Sequence, residues 1–585
     1  MILNALAVAQ PTKINYTVTF PDAQAHYTHI EMTVTGLTER SLNIKMPVWT
    51  PGSYLVREFA KNVEALSAEA NGKPIVSAKI SKNTWHIESN GATSVKINYK
   101  VYCFEVSVRT SFIDTASAFL STSGLFMYPD GMLHEPSTIQ IKPYKGWTTV
   151  STSLGHIDSE QFTLHAPDYD VLYDSPIQVG TQAVFGFEAA GVKYEVAMCG
   201  GGNYNTSRLI HDMTQIIEKT TTIFGENPNK HYVFIVHNYL KGGGGLEHLS
   251  STVLGATRDG YTNETIYHNF LGLVAHEHFH LWNVKRLRPF ALGPFNYDVE
   301  NYTHNLWVAE GFTTYYQSVI IRSTGMYPIQ DYLNIIADDM SMVDNQPGTK
   351  VQSLNDASFD AWIKYYRPNE NSPNATISYY SKGAMVAMML DLQIIHYSNG
   401  KRSLDDFMKY MYHQYYTVFK RGYTNAEFKT EIEKFTGNNL DDFYAKFIYG
   451  VNDLDYQTYL SYAGYKIINT LQGSNAAYLG TKITATSGKN IVTTVLRNSP
   501  AWKAGISVND EIQAIEGNVV LDVDKYIVTK KPGEKINISV IRDGVPTVIS
   551  VLLENNPQVK YHLTDDNNIS DEKMTVRKRW LRLAQ

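Results

Sequence analysis

The chain has 585 residues, too many for a single hydrophobic core, and this length predicts about three domains. With 43% hydrophobic and 18% charged residues, its composition is that of a globular protein. A net charge of −6 argues against a nucleic-acid-binding function, because affinity for a phosphate backbone rests largely on lysine and arginine. No apolar run reaches about 18 residues, so we expect no transmembrane segment.

The first residues and the cysteines bear on the cellular compartment. Residues 7–9 read Ala-Val-Ala before Gln10, which fits the cleavage site at the end of a secretory signal peptide. We therefore expect an exported protein, periplasmic or secreted, with a truncated signal peptide; a cytoplasmic location is the alternative. Cys103 and Cys199 allow at most one disulfide, and two buried thiols are the favoured interpretation.

The N-terminal third has the pattern of antiparallel strands. Apolar and polar residues alternate there in short runs that are broken by Gly, Pro and Asp. The clearest runs are residues 16–20, 29–34 and 94–102. We predict an all-β domain over residues 1–185.

The middle of the chain changes to helical periodicity. Four helices are predicted, together with one short strand at residues 232–236. The helices cover residues 209–224, 265–282, 304–323 and 378–397. We predict a mainly α domain over residues 186–460.

Alternation returns in the C-terminal part. Short β runs at residues 491–495, 511–515 and 536–541 predict a small β-rich domain over residues 461–556. The tail, residues 557–585, has little apolar periodicity and carries a basic cluster, so we predict that it is loosely attached and that its charges are solvated. The whole chain is predicted to be a multidomain α+β protein.

A candidate metal site lies in the second predicted helix, where residues 276–280 read His-Glu-His-Phe-His. Because residues i and i+4 share one face of a helix, His276 and His280 can bind one metal ion while Glu277 reaches a water molecule bound to it. His278 points to another side of the helix and is left out. A bare His-Glu-x-x-His string also arises by chance, and the alternative is an ordinary helix with solvated histidines.

A catalytic zinc site needs a third protein ligand and keeps one position open for water or substrate. Glu310 is the candidate, because it is a lone carboxylate in the apolar segment 306–313, where burial is costly unless the charge is paired or bound to a metal. Asp298 and Glu300 compete with it, but their polar surroundings favour a surface loop.

Two further segments carry residues suited to a peptide substrate. Residues 242–245 are all glycine, so an extended backbone there can lie against a ligand, with the negative charge of Glu247 at its end. The alternative for this run is a flexible turn. Tyr380 opens another predicted helix, and a phenol near a zinc site can donate a hydrogen bond to an oxyanion. The chain has 40 tyrosines, so position alone does not select Tyr380.

Taken together, these segments resemble the gluzincin aminopeptidases, zinc metallopeptidases with a thermolysin-like catalytic domain. The resemblance is closest to the glycyl aminopeptidase family that carries a C-terminal PDZ domain. The segments that carry it are residues 49–59, 244–250, 276–289 and 307–313. Their spread along the chain makes a chance resemblance improbable.

The resemblance implies one zinc ion per chain, bound by His276, His280 and Glu310, with Glu277 as the general base. The 29 residues between His280 and Glu310 exceed the spacing usual among such aminopeptidases. We attribute the extra length to a loop at residues 289–302. If that attribution is wrong, Glu310 is the assignment that falls.

The resemblance also implies how a peptide substrate is held. Gly243, Gly244 and Gly245 would align its backbone, and Glu247 would bind its free amino terminus. Tyr380, which precedes a Lys-Gly pair, would stabilise the oxyanion.

The last domain resembles a PDZ module of the bacterial protease kind. Tyr478, Leu479 and Gly480 stand where such domains place the loop whose backbone amides hold the C-terminal carboxylate of a peptide. PDZ domains bind an extended peptide by adding it as a strand at a sheet edge. This domain either captures peptides or packs against the peptidase, and the sequence leaves both open.

The sequence therefore predicts a zinc aminopeptidase that acts on peptides with a free amino terminus. A preference for Gly, and also Ala, is implied by the resemblance alone. Two alternatives remain: a zinc endopeptidase in which Glu247 is structural, and a peptide-binding scaffold whose metal site is vestigial. The sequence assigns no role to Arg286 or Arg288.

Overall fold

The computed structural model describes residues 13–486, 488–567 and 569–583. The signal-peptide motif at residues 7–10 lies outside the described residues. Within the described stretches, no helix is both long enough and apolar enough to cross a membrane.

The chain divides into two compact units. The first comprises the described residues up to Tyr302 together with Met408–Thr424, and the second comprises Thr303–Phe407 and the described residues from Asn425 onward. The three domain boundaries predicted from the sequence, after residues 185, 460 and 556, stay predictions.

The N-terminal part of the first unit is built from β-sheets, as predicted. Its largest sheet has eight strands, and the central strands Tyr27–Thr35 and Ser94–Tyr102 pair antiparallel and bury every second residue. Side chains alternate between the two faces of a strand, so this pattern places one face of the sheet in the core. The eight strands, in sheet order, are Gly155–Ile157, Glu160–Ala166, Ser137–Lys142, Lys13–Thr19, Tyr27–Thr35, Ser94–Tyr102, Val63–Ala70 and Lys73–Ile75.

Two four-stranded sheets and a few short helices complete this part of the first unit. One sheet comprises Thr149–Thr152, Ile177–Gly180, Ala118–Leu120 and Phe112–Ile113, and the other comprises Tyr128–Pro129, Leu42–Lys45, Thr84–Ile87 and Ser77–Ser81. The helices are Ala23–Ala25, Phe59–Asn62, Thr122–Gly124 and Tyr169–Tyr173. One core of buried apolar side chains draws on strands of all three sheets.

A mixed five-stranded sheet follows, of which the sequence analysis predicted only one strand. In sheet order its strands are Ala183–Ala189, Val192–Cys199, His231–Tyr239, Ser251–Thr257 and Gly245–Glu247. Ser251–Thr257 is buried on both faces and therefore shows no alternation that the sequence could reveal. The helices of this part are Thr206–Phe224, Glu264–Phe279, Phe290–Leu292 and Tyr412–Val418. Cys103 and Cys199 are both free thiols.

The second unit begins with helices, which confirms the predicted helical middle region. Helix Tyr379–Tyr397 lies at its centre and is buried on nearly all sides. The predicted helix at residues 304–323 is a π-helical turn, Trp307–Phe312, that continues as helix Thr313–Thr324. The other helices are Ile329–Asp344, Pro347–Lys350, Leu354–Phe359, Asp360–Trp362, Ser372–Ala375, Leu404–Met411 (which begins in this unit), Asn425–Thr436, Asp441–Phe443, Tyr444–Ile448 and Tyr456–Tyr462.

The predicted small β-rich domain is an antiparallel five-stranded sheet with its own apolar core. In sheet order its strands are Thr481–Thr486, Lys489–Val495, Glu511–Ile515, Lys535–Arg542 and Val545–Leu552. Helices Pro500–Ala504 and Val523–Ile527 and the strand pair Ala477–Tyr478 and Glu554–Asn555 complete it. The predicted fold class, a multidomain α+β protein with an all-β start and a β-rich end, is confirmed.

The prediction of a loosely attached tail is wrong. Strand Tyr561–Asp565 pairs with Tyr465–Asn469, and helix Asp571–Trp580 buries Trp580 to 1% exposure. Arg582 then forms ion pairs with Asp391 at 3.0 Å and Asp405 at 2.7 Å. Strand pairing, a few buried apolar side chains that include Trp580, and the ion pairs of Arg582 hold the tail, and they are too scattered to give a periodic apolar pattern in the sequence.

Replacing Arg582 with Met should destabilise the protein by about 3 kcal/mol, because the fully buried Asp391 would lose its counter-charge. The free energy of unfolding can be measured by denaturant titration of tryptophan fluorescence. Lys578→Met is the matched control, since Lys578 lies on the same tail helix and is exposed. Equal stability of the two variants would show that the ion pair does not hold the tail.

Candidate active site

The two histidines of the predicted metal motif face each other. Their helix begins at Glu264, where the side chain of Asn263 accepts a hydrogen bond from the Ile266 amide, and it ends at Phe279. His280 follows the last helical residue but keeps helical backbone angles, so the i and i+4 relation holds. The Nε2 atoms of His276 and His280 lie 3.1 Å apart.

The surroundings of His280 decide which of its ring nitrogens is available to a metal. Its Nδ1 lies 2.9 Å from the backbone oxygen of Asn283. A carbonyl oxygen can only accept, so Nδ1 carries the hydrogen and Nε2 carries the lone pair. This arrangement is usual for metal-binding histidines, whose second nitrogen donates to a nearby oxygen.

His278 is not part of this pair, as the helix geometry predicts. It is fully buried, and its Nε2 lies 3.1 Å from the hydroxyl of Tyr194. Burial lowers the pKa of His278 to about 3, so the ring is neutral at physiological pH.

Two buried carboxylates accompany the histidines. Glu247 and Glu277 are 4% and 5% exposed. One oxygen of each and one ring nitrogen of His280 lie within 4.8 Å of one another. Among the described residues, nothing forms a hydrogen bond with Oε1 of Glu247. Two buried negative charges this close are costly unless a cation joins them, so the site is suited to a metal ion, an ammonium group or both.

Glycines allow the chain to approach both carboxylates. A β-carbon at position 245 would lie 2.1 Å from Oε1 of Glu277, and one at position 52 would lie 2.6 Å from Oε1 of Glu247. Gly52 also has a φ of +84°, which favours glycine. The segment around Gly52 contributes to the family resemblance, but no role was predicted for Gly52. Its closeness to Glu247 depends on the tertiary fold, so no local sequence pattern predicts it.

The last glycine of the run lies in a strand, whereas Gly242, Gly243 and Gly244 lie outside any helix or strand. Gly245–Glu247 is a strand at the edge of the five-stranded sheet, paired with Ser251–Thr257. Arg109 donates a hydrogen bond from Nη2 to the Gly245 oxygen at 3.0 Å. Gly243 has open space around it, and Gly244 has a φ of +78°. An edge strand of this kind can pair with an extended peptide.

Gly245→Ala should reduce activity about 100-fold while leaving stability nearly unchanged, because the new methyl group would displace the Glu277 carboxylate. The measurement is kcat/KM on a peptide substrate. Gly155→Ala is the control, since position 155 also lies on a strand and has open space around it. If both alanine variants kept wild-type kcat/KM, the close approach at position 245 would have no catalytic importance.

In the second unit, Glu310 and Tyr380 are neighbours. Glu310 is 2% exposed on the π-helical turn Trp307–Phe312, a distortion that is often found at functional sites. A β-carbon on Gly311 would lie 2.6 Å from the α-carbon of Gly383, so this turn and helix Tyr379–Tyr397 touch through their backbones. Burial and, next, the charge of Glu310 hold the pKa of Tyr380 well above its usual range. Tyr380 therefore stays protonated and can donate a hydrogen bond.

The loop proposed to hold a peptide carboxylate lies in the small β-rich domain of the second unit. Leu479 and Gly480 connect strand Ala477–Tyr478 to the edge strand Thr481–Thr486. Their carbonyl oxygens accept hydrogen bonds from backbone amides of the same domain. The side chain of Asn374 donates to the Val495 oxygen and accepts from the Arg497 amide, so this domain also packs against a helix of the second unit. The packing role therefore has a structural basis, and peptide binding by this loop stays a prediction.

Comparisons with known proteins agree with this arrangement. The profile described as Peptidase M61 N-terminal domain matches residues 15–181, M61 glycyl aminopeptidase matches residues 269–386, and a PDZ domain matches residues 477–553. Their order along the chain confirms the predicted resemblance. No curated protein matches the chain.

Solved structures show a similar fold. The crystal structure of an aminopeptidase N family protein from Idiomarina loihiensis is 28% identical, covers 97% of this chain and all of its own, and has a TM-score of 0.91. An M1 zinc metallopeptidase from Deinococcus radiodurans is 14% identical over 73% of this chain and 91% of its own, with a TM-score of 0.46. Native yeast LTA4 hydrolase is 13% identical over 77% of this chain and 67% of its own, with a TM-score of 0.44. The TM-scores of the last two structures are too low for any conclusion about this chain.

The profile matches and the first of these structures identify the chain as a peptidase of the aminopeptidase type. The matched peptidase segment contains His276, Glu277, His280, Glu310 and Tyr380. Glu247 and the glycine run lie before it.

Proposed function

We propose that the protein is a zinc-dependent aminopeptidase that removes single residues from the amino terminus of peptides. The observation that carries this proposal is the pair of buried carboxylates, Glu247 and Glu277, beside the facing nitrogens of His276 and His280. One carboxylate can transfer the proton and the other can bind the ammonium group of the substrate. An aminopeptidase needs both functions.

The donor set fits a zinc ion. We propose His276, His280 and Glu310 as its ligands, since two imidazoles and one carboxylate are a common catalytic zinc set. Each of these side chains is buried and offers a ligand atom. When bound, zinc would polarise the substrate carbonyl and lower the pKa of a coordinated water molecule.

Glu277 is the proposed general base and acid. Its carboxylate takes a proton from the attacking water and then passes a proton to the nitrogen of the leaving amine. Gly245 leaves space for this carboxylate, because the β-carbon of any other residue at position 245 would clash with it. Proton transfer by a positioned carboxylate contributes about 10²- to 10⁴-fold to such reactions.

Glu247 is proposed to hold the substrate's ammonium group. Its Oε1 atom is buried and lacks a hydrogen-bond partner among the described residues, so an ammonium group would satisfy it with a charge-assisted bond. The edge strand Gly245–Glu247 can align the first peptide unit. A blocked amino terminus would leave the charge of Glu247 unpaired, which is why cleavage would be limited to free amino termini.

Tyr380 is proposed to donate a hydrogen bond to the carbonyl oxygen as it gains negative charge. Its raised pKa keeps the hydroxyl proton in place for this purpose. A preference for Gly and Ala is also proposed, and it rests on the resemblance to the glycyl aminopeptidases. We further propose that the PDZ domain binds the C-terminal segment of a peptide and that the protein is exported.

A panel of chromogenic aminoacyl substrates tests the function. Glycyl and alanyl derivatives should be hydrolysed faster than leucyl ones, their N-acetylated forms should be resistant, and a chelator should abolish activity until zinc is restored. Fast cleavage of acetylated peptides would instead support an endopeptidase. No hydrolysis by protein that contains a full equivalent of zinc would support the binding scaffold.

A further inference from the structure

A cavity in the first unit is lined by none of the residues proposed for the active site. Its volume of about 670 Å³ is in the range of small-molecule binding sites. Basic side chains predominate in its wall: the basic residues are Lys285, Arg286, Arg288, Lys420 and Arg421, and the acidic residues are Asp170 and Glu226. The cavity is therefore suited to a negatively charged ligand.

Lys285 and Arg286 lie six and seven residues after the end of helix Glu264–Phe279 and differ in how their charges are balanced. Lys285 is neutralised by Asp174, with 2.7 Å between Nζ and Oδ1. Arg286 is 7% exposed and, among the described residues, its guanidinium group donates hydrogen bonds to neutral oxygens only. These oxygens belong to Leu281, Asn229 and Leu249, at 2.8, 2.7 and 3.2 Å. The charge of Arg286 is therefore hydrogen-bonded but not neutralised.

Among Lys285, Arg286 and Arg288, the charge of Arg288 is the least compensated. Its guanidinium group has no hydrogen-bond or ion-pair partner among the described residues and lies 5.2 Å from the ring centre of Phe295. A β-carbon at position 293 would lie 2.3 Å from its Nη2, so Gly293 leaves space for it. Burial lowers the pKa of Arg288, and the charge of Asp170 offsets this only in part. Asp170 itself accepts a hydrogen bond from Tyr297.

Aromatic side chains provide an apolar wall beside these charges. The rings of Tyr412 and Tyr416 are stacked, with centres 5.3 Å apart and an angle of 22° between their planes. The side chain of Phe290 is 53% exposed where it lines the cavity. An inorganic ion alone would leave this aromatic surface without a partner.

We propose that this cavity binds a small organic anion, whose carboxylate or phosphate group pairs with the Arg288 guanidinium while its apolar part contacts Tyr412 and Tyr416. A planar guanidinium binds either group through two parallel hydrogen bonds. A partly buried cation without a counter-ion is costly, and the ligand would supply that counter-ion. The site is separate from the active site and does not depend on the proposed function.

Calorimetric titration of the full-length protein with three matched probes tests this site. Phenyl phosphate and phenylacetate carry the two candidate anionic groups, and 2-phenylethanol is their neutral analogue. We expect at least one anion to bind with a Kd below about 1 mM and the neutral analogue to bind at least tenfold more weakly. The stronger of the two anions identifies the group that the site prefers.

Variants establish where the anion binds. Arg288→Gln should weaken binding at least tenfold, and Arg288→Lys should weaken it less. Arg40→Gln, at an exposed arginine between strands Tyr27–Thr35 and Leu42–Lys45, should leave it unchanged. Tyr416→Ala removes a partly exposed wall residue and should weaken binding several-fold even if Arg288→Gln does not fold. Binding that is absent, that is equal for the neutral analogue, or that is unaffected by Arg288→Gln and Tyr416→Ala would overturn the proposal.

Discussion

Replacing Glu277 with Gln is expected to reduce kcat by about 10³-fold or more while zinc stays bound, because the amide keeps the shape of the side chain but cannot accept the proton of the attacking water. Glu277 is 5% exposed and lies beside His280 and Glu247. The loss should appear in kcat and in kcat/KM alike, since the interaction exists only in the transition state.

Two measurements and a control variant separate this outcome from a structural defect. Zinc content by metal analysis should stay near one ion per chain, and the unfolding temperature should stay close to that of the wild type. Glu264→Gln is the matched control, because Glu264 lies on the same helix but is exposed and pairs with Arg208. Near wild-type hydrolysis by Glu277→Gln would remove Glu277 from the mechanism.

Comparing Glu277→Gln with His280→Ala tests the two proposed roles separately. His280 offers its Nε2 lone pair because Nδ1 donates to the Asn283 oxygen. Its loss should therefore remove both zinc and activity, whereas Glu277→Gln should remove activity alone. The two variants would therefore distinguish the proposed metal ligand from the proposed general base.

The sequence predicted those parts of the site that are contiguous in the chain. His276, Glu277 and His280 lie within five residues, so helix periodicity alone places them together. The same holds for Tyr27–Thr35 and Ser94–Tyr102, whose alternation gives their burial. In these segments the local pattern and the tertiary environment agree.

The parts that the sequence could not predict depend on contacts between distant segments. Gly52 lies close to the carboxylate of Glu247, although almost two hundred residues separate them in the sequence. No sequence pattern near Gly52 predicts this contact. The strand Ser251–Thr257 is buried on both faces and mixes small polar with apolar residues, so it lacks strand periodicity. The prediction of a loosely attached C-terminal tail was wrong, because burial of Trp580 and an ion pair of Arg582 fix the tail. Neither contact appears as periodicity in the sequence.

Glu247→Gln is the second variant with a large expected effect, and it tests which end of a peptide is cut. The amide fills the same space near Gly52 but no longer carries the charge that would pair with an ammonium group. Loss of one partner of a buried charge pair costs about 2–5 kcal/mol, so kcat/KM for substrates with a free amino terminus should fall at least 30-fold. Hydrolysis of acetylated substrates should not fall, and the discrimination between the two should largely disappear.

The pH profile provides an independent readout for Glu247. An α-amino group has a pKa of about 7.7–8.0, so the fraction of substrate that carries the ammonium charge falls as the pH rises through this range. If Glu247 binds that charge, wild-type kcat/KM should decline on the alkaline side, and Glu247→Gln should show a smaller decline. Glu195→Gln, on strand Val192–Cys199 of the same sheet, should keep the wild-type profile. A Glu247→Gln variant that still rejects acetylated substrates would assign amine recognition to another group and favour a structural role for Glu247.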